Sequence, residues 1–194
     1  MKNPRIKQLV TVSLLIAMIV VLQFIGSSIP PLFGAFSISL VLIPIVIGAA
    51  IYGPMTGAIL GAAFGIITAI NCATGADPGG QMVFQANPII CIIVVMSKGV
   101  LCGAASGLIY RCFKGLNGYI SMLLASIVCP VVNTGVFLVC MLIFFRDVLS
   151  VWASGNNIFV YMISGIVLCN FVPELIINIT FSPAGQRILK VVCK

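Results

Sequence analysis

The 194-residue chain is too apolar for a water-soluble protein of its size, since 61% of its residues are hydrophobic, only 7% are charged and the mean hydropathy is +1.28. So few charged side chains cannot build the polar shell that a soluble core needs. A net charge of +7 would suggest nucleic acid as a partner of a soluble protein. Here the basic residues lie mostly outside the apolar segments, so orientation in a membrane explains them better and no nucleic-acid partner is expected.

Six apolar segments, each about long enough to cross a hydrocarbon core, follow one another along the chain. The first is apolar from Leu9 to Ile25, which is longer than the hydrophobic region of a signal peptide, and no A-x-A-like cleavage site follows it, so we expect a retained helix. Turn-forming stretches such as Tyr52-Gly53-Pro54 and 75–80 (GADPGG) separate the segments. These features predict an all-α integral membrane protein, a compact single domain over 1–194 with helices at about 8–26, 36–53, 55–73, 88–112, 118–145 and 158–181.

The basic residues predict how these helices are oriented. With the N-terminus in the cytoplasm, one face carries eight of them and the other face carries only Arg146. Cytoplasmic loops of membrane proteins are enriched in Lys and Arg. We therefore expect a multi-pass protein of the plasma membrane with both termini cytoplasmic, and with these eight residues on the inner side: Lys2, Arg5, Lys7, Arg111, Lys114, Arg187, Lys190 and Lys194.

Two glycine ladders with a spacing of four residues occur in the predicted third and fourth helices: Gly57, Gly61 and Gly65, then Gly99, Gly103 and Gly107. Residues four apart share one helix face. Small residues on such a face let two backbones approach closely, which is how membrane helices associate. We favour close packing within this chain, and docking of another membrane subunit is the alternative.

Two ionisable residues fall at membrane depth, Lys98 in the predicted fourth helix and Glu174 in the sixth. Charged groups in the bilayer are costly, face the bundle interior and usually have a partner. Lys98 is therefore either a counter-charge for a carboxylate or phosphate of a substrate, or a member of an internal ion pair with Glu174. It can also extend toward the inner face.

Uncharged polar residues interrupt the third, fifth and sixth predicted helices. Each of them alone is best explained as a hydrogen-bonding contact between helices, because an unpaired amide in hydrocarbon is costly. Together they indicate a polar cavity between the third and sixth helices, with these members: Thr68, Asn71, Asn133, Thr134, Asn170 and Asn178.

The segment before the fourth helix combines amides with an aromatic ring: Gln81, Phe84, Gln85 and Asn87. Amides beside an aromatic side chain suit recognition of a flat polar ring, because they supply donors and acceptors next to a stacking surface. A solvated loop on the outer side is the alternative.

Several activities lack the residues that they need. The chain has no P-loop and no histidine, and its three carboxylates are scattered, so ATP hydrolysis, zincin-type proteolysis and acid/base catalysis by a carboxylate pair are unsupported. We expect no enzyme activity, no metal and no cofactor. An autonomous channel or secondary carrier is a second hypothesis, although an ion-coupled carrier would usually have more membrane-embedded carboxylates and inverted repeats, which are not recognisable in this sequence. A structural or assembly protein is a third.

The chain resembles the substrate-binding S components of energy-coupling factor (ECF) vitamin transporters. The similarity is clearest over 37–69, which holds the apolar run, the Y-G-P turn and the glycine ladder, and it extends to NTGVFL (133–138) and NFVPELIIN (170–178). In the first helix, Ser13-x-x-x-Ala17 is similar to the family's Ala-x-x-x-Ala docking motif, with serine in place of the first alanine.

The resemblance implies a high-affinity binding subunit that captures a vitamin on its outer side and delivers it to a transmembrane coupling subunit and two ATPases. ATP would then be used by the partners and not by this chain. It gives Ser13 and Ala17 a docking role, and points to a pocket built from Gln81, Gln85, Asn87, Lys98, Asn133 and Asn170. Lys98 would suit an anionic cargo such as pantothenate, and the amides with Phe84 would suit a heteroaromatic one such as riboflavin.

Overall fold

The computed structural model describes residues 4–28, 40–115 and 117–192, and all regular secondary structure in these ranges is helical. The long helices are α1 (Pro4–Ser28), α3 (Pro54–Thr74), α5 (Pro88–Phe113), α6 (Gly118–Phe144) and α9 (Val172–Val192). Shorter ones are α2 (Leu42–Tyr52), α4 (Pro78–Ala86), α7 (Arg146–Ala153) and α8 (Ile158–Tyr161). A π-helical segment (Met162–Phe171) joins α8 to α9.

Five continuous helical stretches are long and apolar enough to cross a membrane, and the last of them runs from Ile158 to Val191 through the π-helical segment. The second predicted crossing, 36–53, appears as the 11-residue helix α2, and the beginning of that prediction lies outside the described residues. The described chain is therefore a helical membrane bundle of five long helices and one short apolar helix.

Contacts between helix ends place both described chain ends on one side of the bundle. The Gln8 amide donates to Thr56 Oγ1 at 3.5 Å, which joins the start of α1 to the start of α3. Ser121 Oγ donates to the carbonyl of Phe113 at 2.6 Å, which joins α6 to the end of α5. Gly118 packs against Gln186 near the end of α9. We call this side the terminal end, and the side that carries α4 and α7 the pocket end.

The glycine ladders form the contact between α3 and α5, which confirms the prediction of packing within the chain. A Cβ built on Gly61 would overlap the carbonyl oxygen of Gly99, and one on Gly57 would overlap that of Gly103. The two backbones are therefore in direct contact, with no room for any side chain. Toward the terminal end, Gly107 reaches the turn before α3, where its Cβ would lie 2.6 Å from Pro54 Cα. We call this contact the glycine seam.

The predicted turn at 75–80 is a turn only up to Asp77, because a helix begins within this stretch. Asp77 begins helix α4, in which Gly79, Gly80 and Val83 are buried. Pro78 suits the first turn, since its missing N–H is not needed there. The side chains of Val83 and Leu149 join one apolar cluster, so α4 and α7 together cover the pocket end of the bundle. Trp152 strengthens this cover, since its indole N–H points to Met82 Sδ at 3.1 Å.

Candidate functional site

A pocket opens beneath α4, at the point where α3 and α5 no longer touch through glycines. About 510 Å³ of empty space lies within its lining, and part of this space is open to the outside. Helices α3 to α6 and the π-helical segment all contribute to its lining: Thr68, Cys72, Asp77, Gly80, Val83, Cys91, Val94, Val95, Lys98, Asn133, Thr134, Phe137 and Asn170.

Lys98 projects into this pocket from the middle of α5. Its ammonium lies over two aromatic rings, 5.0 Å from the centroid of Phe137 and 5.6 Å from that of Phe64. The negative face of an aromatic ring stabilises a cation in such positions. The rings leave the ammonium's three N–H donors able to bind an acceptor in the pocket.

Asp77 supplies the acidic group of the pocket. Burial raises the pKa of its carboxyl above the ordinary value of 3.8, and the backbone amides of Gly80 and Gly79 and the Lys98 ammonium oppose that shift only in part. One carboxylate oxygen, Oδ1, is buried without a hydrogen-bond partner in the described part of the chain. The pocket therefore holds one basic and one acidic group that interact electrostatically.

Three further polar atoms that line the pocket are buried and have no hydrogen-bond partner among the described residues: Asn133 Oδ1, Thr134 Oγ1 and Asn170 Oδ1. Burying a polar group without a partner costs about 1–3 kcal/mol, and native proteins contain few such groups. Because all of them belong to residues that line one pocket, this pocket is the candidate binding site.

Proline and π-helical geometry position these amides. Asn133 and Thr134 lie one turn after Pro130, inside α6, and Asn170 lies at the end of the π-helical segment, three residues before Pro173. A proline within a helix cannot donate the usual backbone hydrogen bond, and π-helical turns often occur at functional sites. The Val172 N–H donates to the carbonyl of Val167, five residues back, which is the wider turn that brings Asn170 toward the pocket.

The structure brings together five of the predicted polar residues, which line the pocket: Thr68, Lys98, Asn133, Thr134 and Asn170. Asn71 and Asn178, predicted for the same cavity, do not line it. Gln81, Phe84, Gln85 and Asn87 do not line the pocket. The Asn87 side chain instead accepts a hydrogen bond from the Ile90 N–H at 3.1 Å and caps the start of α5. Phe84 packs against the apolar cluster beneath α4 and α7, and Gln85 is exposed.

Gln81 has a local structural role. Its amide lies against Gly75, the residue with a φ of +80° that ends α3, and fills the space that a side chain there would need. Of the three amides that suggested recognition of a flat ring, Gln81 therefore packs at the start of α4, Asn87 caps α5 and Gln85 is exposed.

The pocket also contains side chains that sequence reasoning did not assign to it, namely Asp77, Cys72, Cys91 and Phe137, with Phe64 behind Lys98. The sequence spacing between these two phenylalanines and nearby polar residues could have indicated that they lie at the pocket. Phe64 lies four residues before Thr68, and Phe137 four residues after Asn133, so each shares a helix face with a polar residue of the cavity.

Ser13 and Ala17 lie on the exposed face of α1, away from the pocket. The opposite face of α1 holds Leu15 and Ile19, which are buried against the bundle. These two small residues are thus accessible at the lateral surface of the protein.

The family model described as ECF transporter, substrate-specific component, matches residues 7–184, which is nearly the whole chain. No curated protein and no solved structure matches it.

Proposed function

We propose that this chain, which belongs to the substrate-specific components of ECF transporters, captures a small nutrient of the vitamin class for an ATP-driven importer. The pocket beneath α4 is the capture site in this proposal. A coupling subunit and two ATPases would take over the loaded protein and supply the energy.

The unpartnered polar atoms of the pocket carry the assignment. A structural contact between helices would pair its amides, whereas the pocket-lining residues Asn133, Thr134 and Asn170 have buried oxygen atoms without a hydrogen-bond partner in the described part of the chain. Such a site is unfavourable when empty and becomes favourable when a solute supplies the missing hydrogen bonds. A protein built to bind and release a solute is expected to have this property.

Charge supports an orientation with the termini in the cytoplasm. Arg5, Lys7, Arg111 and Lys190 lie at the terminal end, whereas Arg146 begins α7 at the pocket end. By the positive-inside rule the terminal end faces the cytoplasm, so the pocket opens outward. Labelling of single introduced cysteines in intact cells tests this: a position in α7 should react with a membrane-impermeant reagent, and one near Lys190 should not.

Ser13 and Ala17 are proposed to dock the coupling subunit. Small side chains on an exposed membrane-helix face allow another helix to approach closely. Ser13→Phe should abolish copurification with the coupling subunit and stop uptake while leaving solute binding intact, and Ser13→Ala should preserve both. Loss of solute binding in Ser13→Phe would contradict the docking role.

Native mass spectrometry of the purified chain tests the central proposal. We expect one small solute per chain, and uptake only in cells that also make the coupling subunit and the ATPases. Liposomes that contain this chain alone should show no flux. Flux in those liposomes would favour the autonomous channel or carrier instead.

A further inference from the structure

The basic group of the pocket is available to an anionic cargo. Lys98 contacts two aromatic rings, and no ion pair holds its ammonium in the described part of the chain. An aromatic face offsets a positive charge only in part and accepts none of its N–H donors in a conventional hydrogen bond. A carboxylate would form charge-assisted hydrogen bonds with that ammonium, which are the strong class of such contacts.

The aromatic surfaces of the pocket are not free to stack on a flat ring. The ammonium of Lys98 lies over the rings of Phe137 and Phe64 and covers the faces nearest to it. The aromatic side chain that the sequence offered for stacking, Phe84, packs into the apolar cluster beneath α4 instead. A heteroaromatic cargo would therefore find few of the contacts that it needs.

The remaining polar atoms require hydrogen-bond donors as well as acceptors. Oδ1 of Asp77 needs a donor when the carboxyl is ionised, and it would repel a cargo that offered only negative charge. The Thr134 hydroxyl both donates and accepts, and the Asn133 and Asn170 amides can present either O or NH₂ by rotation. Hydroxyl and amide N–H groups satisfy this set.

We infer that the cargo is a small carboxylate that also bears hydroxyl or amide N–H groups. Its carboxylate binds Lys98, and its donors face Asp77 and the three unpaired oxygens of Asn133, Thr134 and Asn170. This inference rests on the proposed function, because it assigns a chemical class to the solute of that same pocket.

Matched probes test the class on the purified chain in lipid nanodiscs without partner subunits. Pantothenate carries a carboxylate, hydroxyls and an amide N–H, and panthenol replaces only the carboxylate by an alcohol. Riboflavin supplies a neutral heteroaromatic ring and thiamine a cationic one. Dissociation constants are measured for all four, and native mass spectrometry identifies any solute that copurifies.

We expect pantothenate or a copurifying hydroxy or amido acid to bind more tightly than its neutral counterpart. Lys98→Met should weaken binding of the acid about 10- to 100-fold, the range for a lost charge-assisted hydrogen bond, and Lys98→Arg should weaken it less. Lys114→Met, at the terminal end, is the matched control and should change nothing.

Three results would overturn the inference: tightest binding of riboflavin or thiamine, equal binding of panthenol and pantothenate, or a copurifying solute with no acid group. Each of these leaves the proposed function standing, because a solute still occupies the pocket. If no probe binds and no solute copurifies, the proposed function fails as well.

Discussion

Helices α3 and α5 face each other along two regions that differ in kind. Over the glycine seam, the two backbones touch and leave no space for a Cβ. Toward the pocket end, Thr68 on α3 and Lys98 on α5 both line the pocket. The same pair of helices thus provides a rigid contact and, next to it, part of the wall of a polar pocket, whose buried atoms without a partner among the described residues come from the start of α4, from α6 and from the π-helical segment. We therefore expect the glycine seam to stabilise the fold and the adjacent pocket to bind the solute, so that the two properties depend on separate parts of one helix pair.

Breaking the seam should have the largest effect. Gly61→Val places a branched side chain against the backbone of Gly99, which can move only if the helices separate. We expect the free energy of unfolding to fall by more than about 3 kcal/mol, the upper range for overpacking. The effect is measured as a lower thermal midpoint and as loss of monodisperse protein in detergent.

Gly135→Ala in α6 is the control, since no atom of the described residues lies within 4 Å of the Cβ that alanine would add. Alanine is the better helix former by about 1 kcal/mol, so this variant should be as stable as the natural protein or slightly more. Similar destabilisation in both variants would contradict the seam as a site of special close contact.

On the pocket side, the buried carboxyl of Asp77 should make the stability of the protein depend on pH. Because burial raises the pKa of its carboxyl, the folded protein holds that proton more tightly than the unfolded chain. The free energy of unfolding should therefore fall as pH rises from about 3.8 through the folded pKa. Asp77→Asn removes this dependence and should raise the thermal midpoint of the empty protein at pH 7.

Thermal midpoints of cargo-free protein between pH 4 and pH 7 measure this effect. Asp147→Asn is the control, since Asp147 is exposed at the start of α7. If the thermal midpoint of Asp77→Asn changes with pH in the same way as that of the natural protein, burial of this carboxyl does not affect stability.

A smaller effect is expected at Asn87, which caps α5. Asn87→Ala should cost about 1 kcal/mol of stability, the usual value for a lost N-cap, and leave cargo affinity unchanged. Gln85→Ala, at an exposed position, should alter neither quantity. A strong loss of cargo affinity in Asn87→Ala would contradict a purely capping role and would show that this residue contributes to binding.

The seam and part of the pocket could be predicted from the sequence because they stand out against their surroundings. Glycines such as Gly57 and Gly61 at a spacing of four define one helix face whatever surrounds them. Lys98, Asn133 and Asn170 can be recognised as candidates because polar residues are costly inside apolar membrane segments and often have a function there.

The remaining contacts of the site could not be predicted, because their residues do not differ in type from the residues around them. In 75–87 most positions are polar or small, so a capping Asn87 and a packed Gln81 look the same as ligand contacts. Phe64 and Phe137 are apolar residues in apolar helices, and only their distance to Lys98 reveals a role. Which amide is paired depends on tertiary geometry and not on local sequence.

Loss of expression in Lys98→Met would point to a structural role for this residue. If neutralising Glu174 as well restored expression, the ion-pair interpretation would be favoured over the cargo contact. Normal expression with weakened binding is the outcome expected here, since Lys98 lies in the pocket against Phe137.

The most direct test replaces two pocket amides by apolar residues of similar size, Asn133→Leu with Asn170→Leu, and measures both stability and cargo binding. If these amides are kept unpaired for a solute, the empty variant should be at least as stable as the natural protein, because unsatisfied buried polar atoms have been removed, and cargo binding should be lost. A variant that is clearly destabilised and still binds its cargo would show that the amides hold helices together, and would contradict the account.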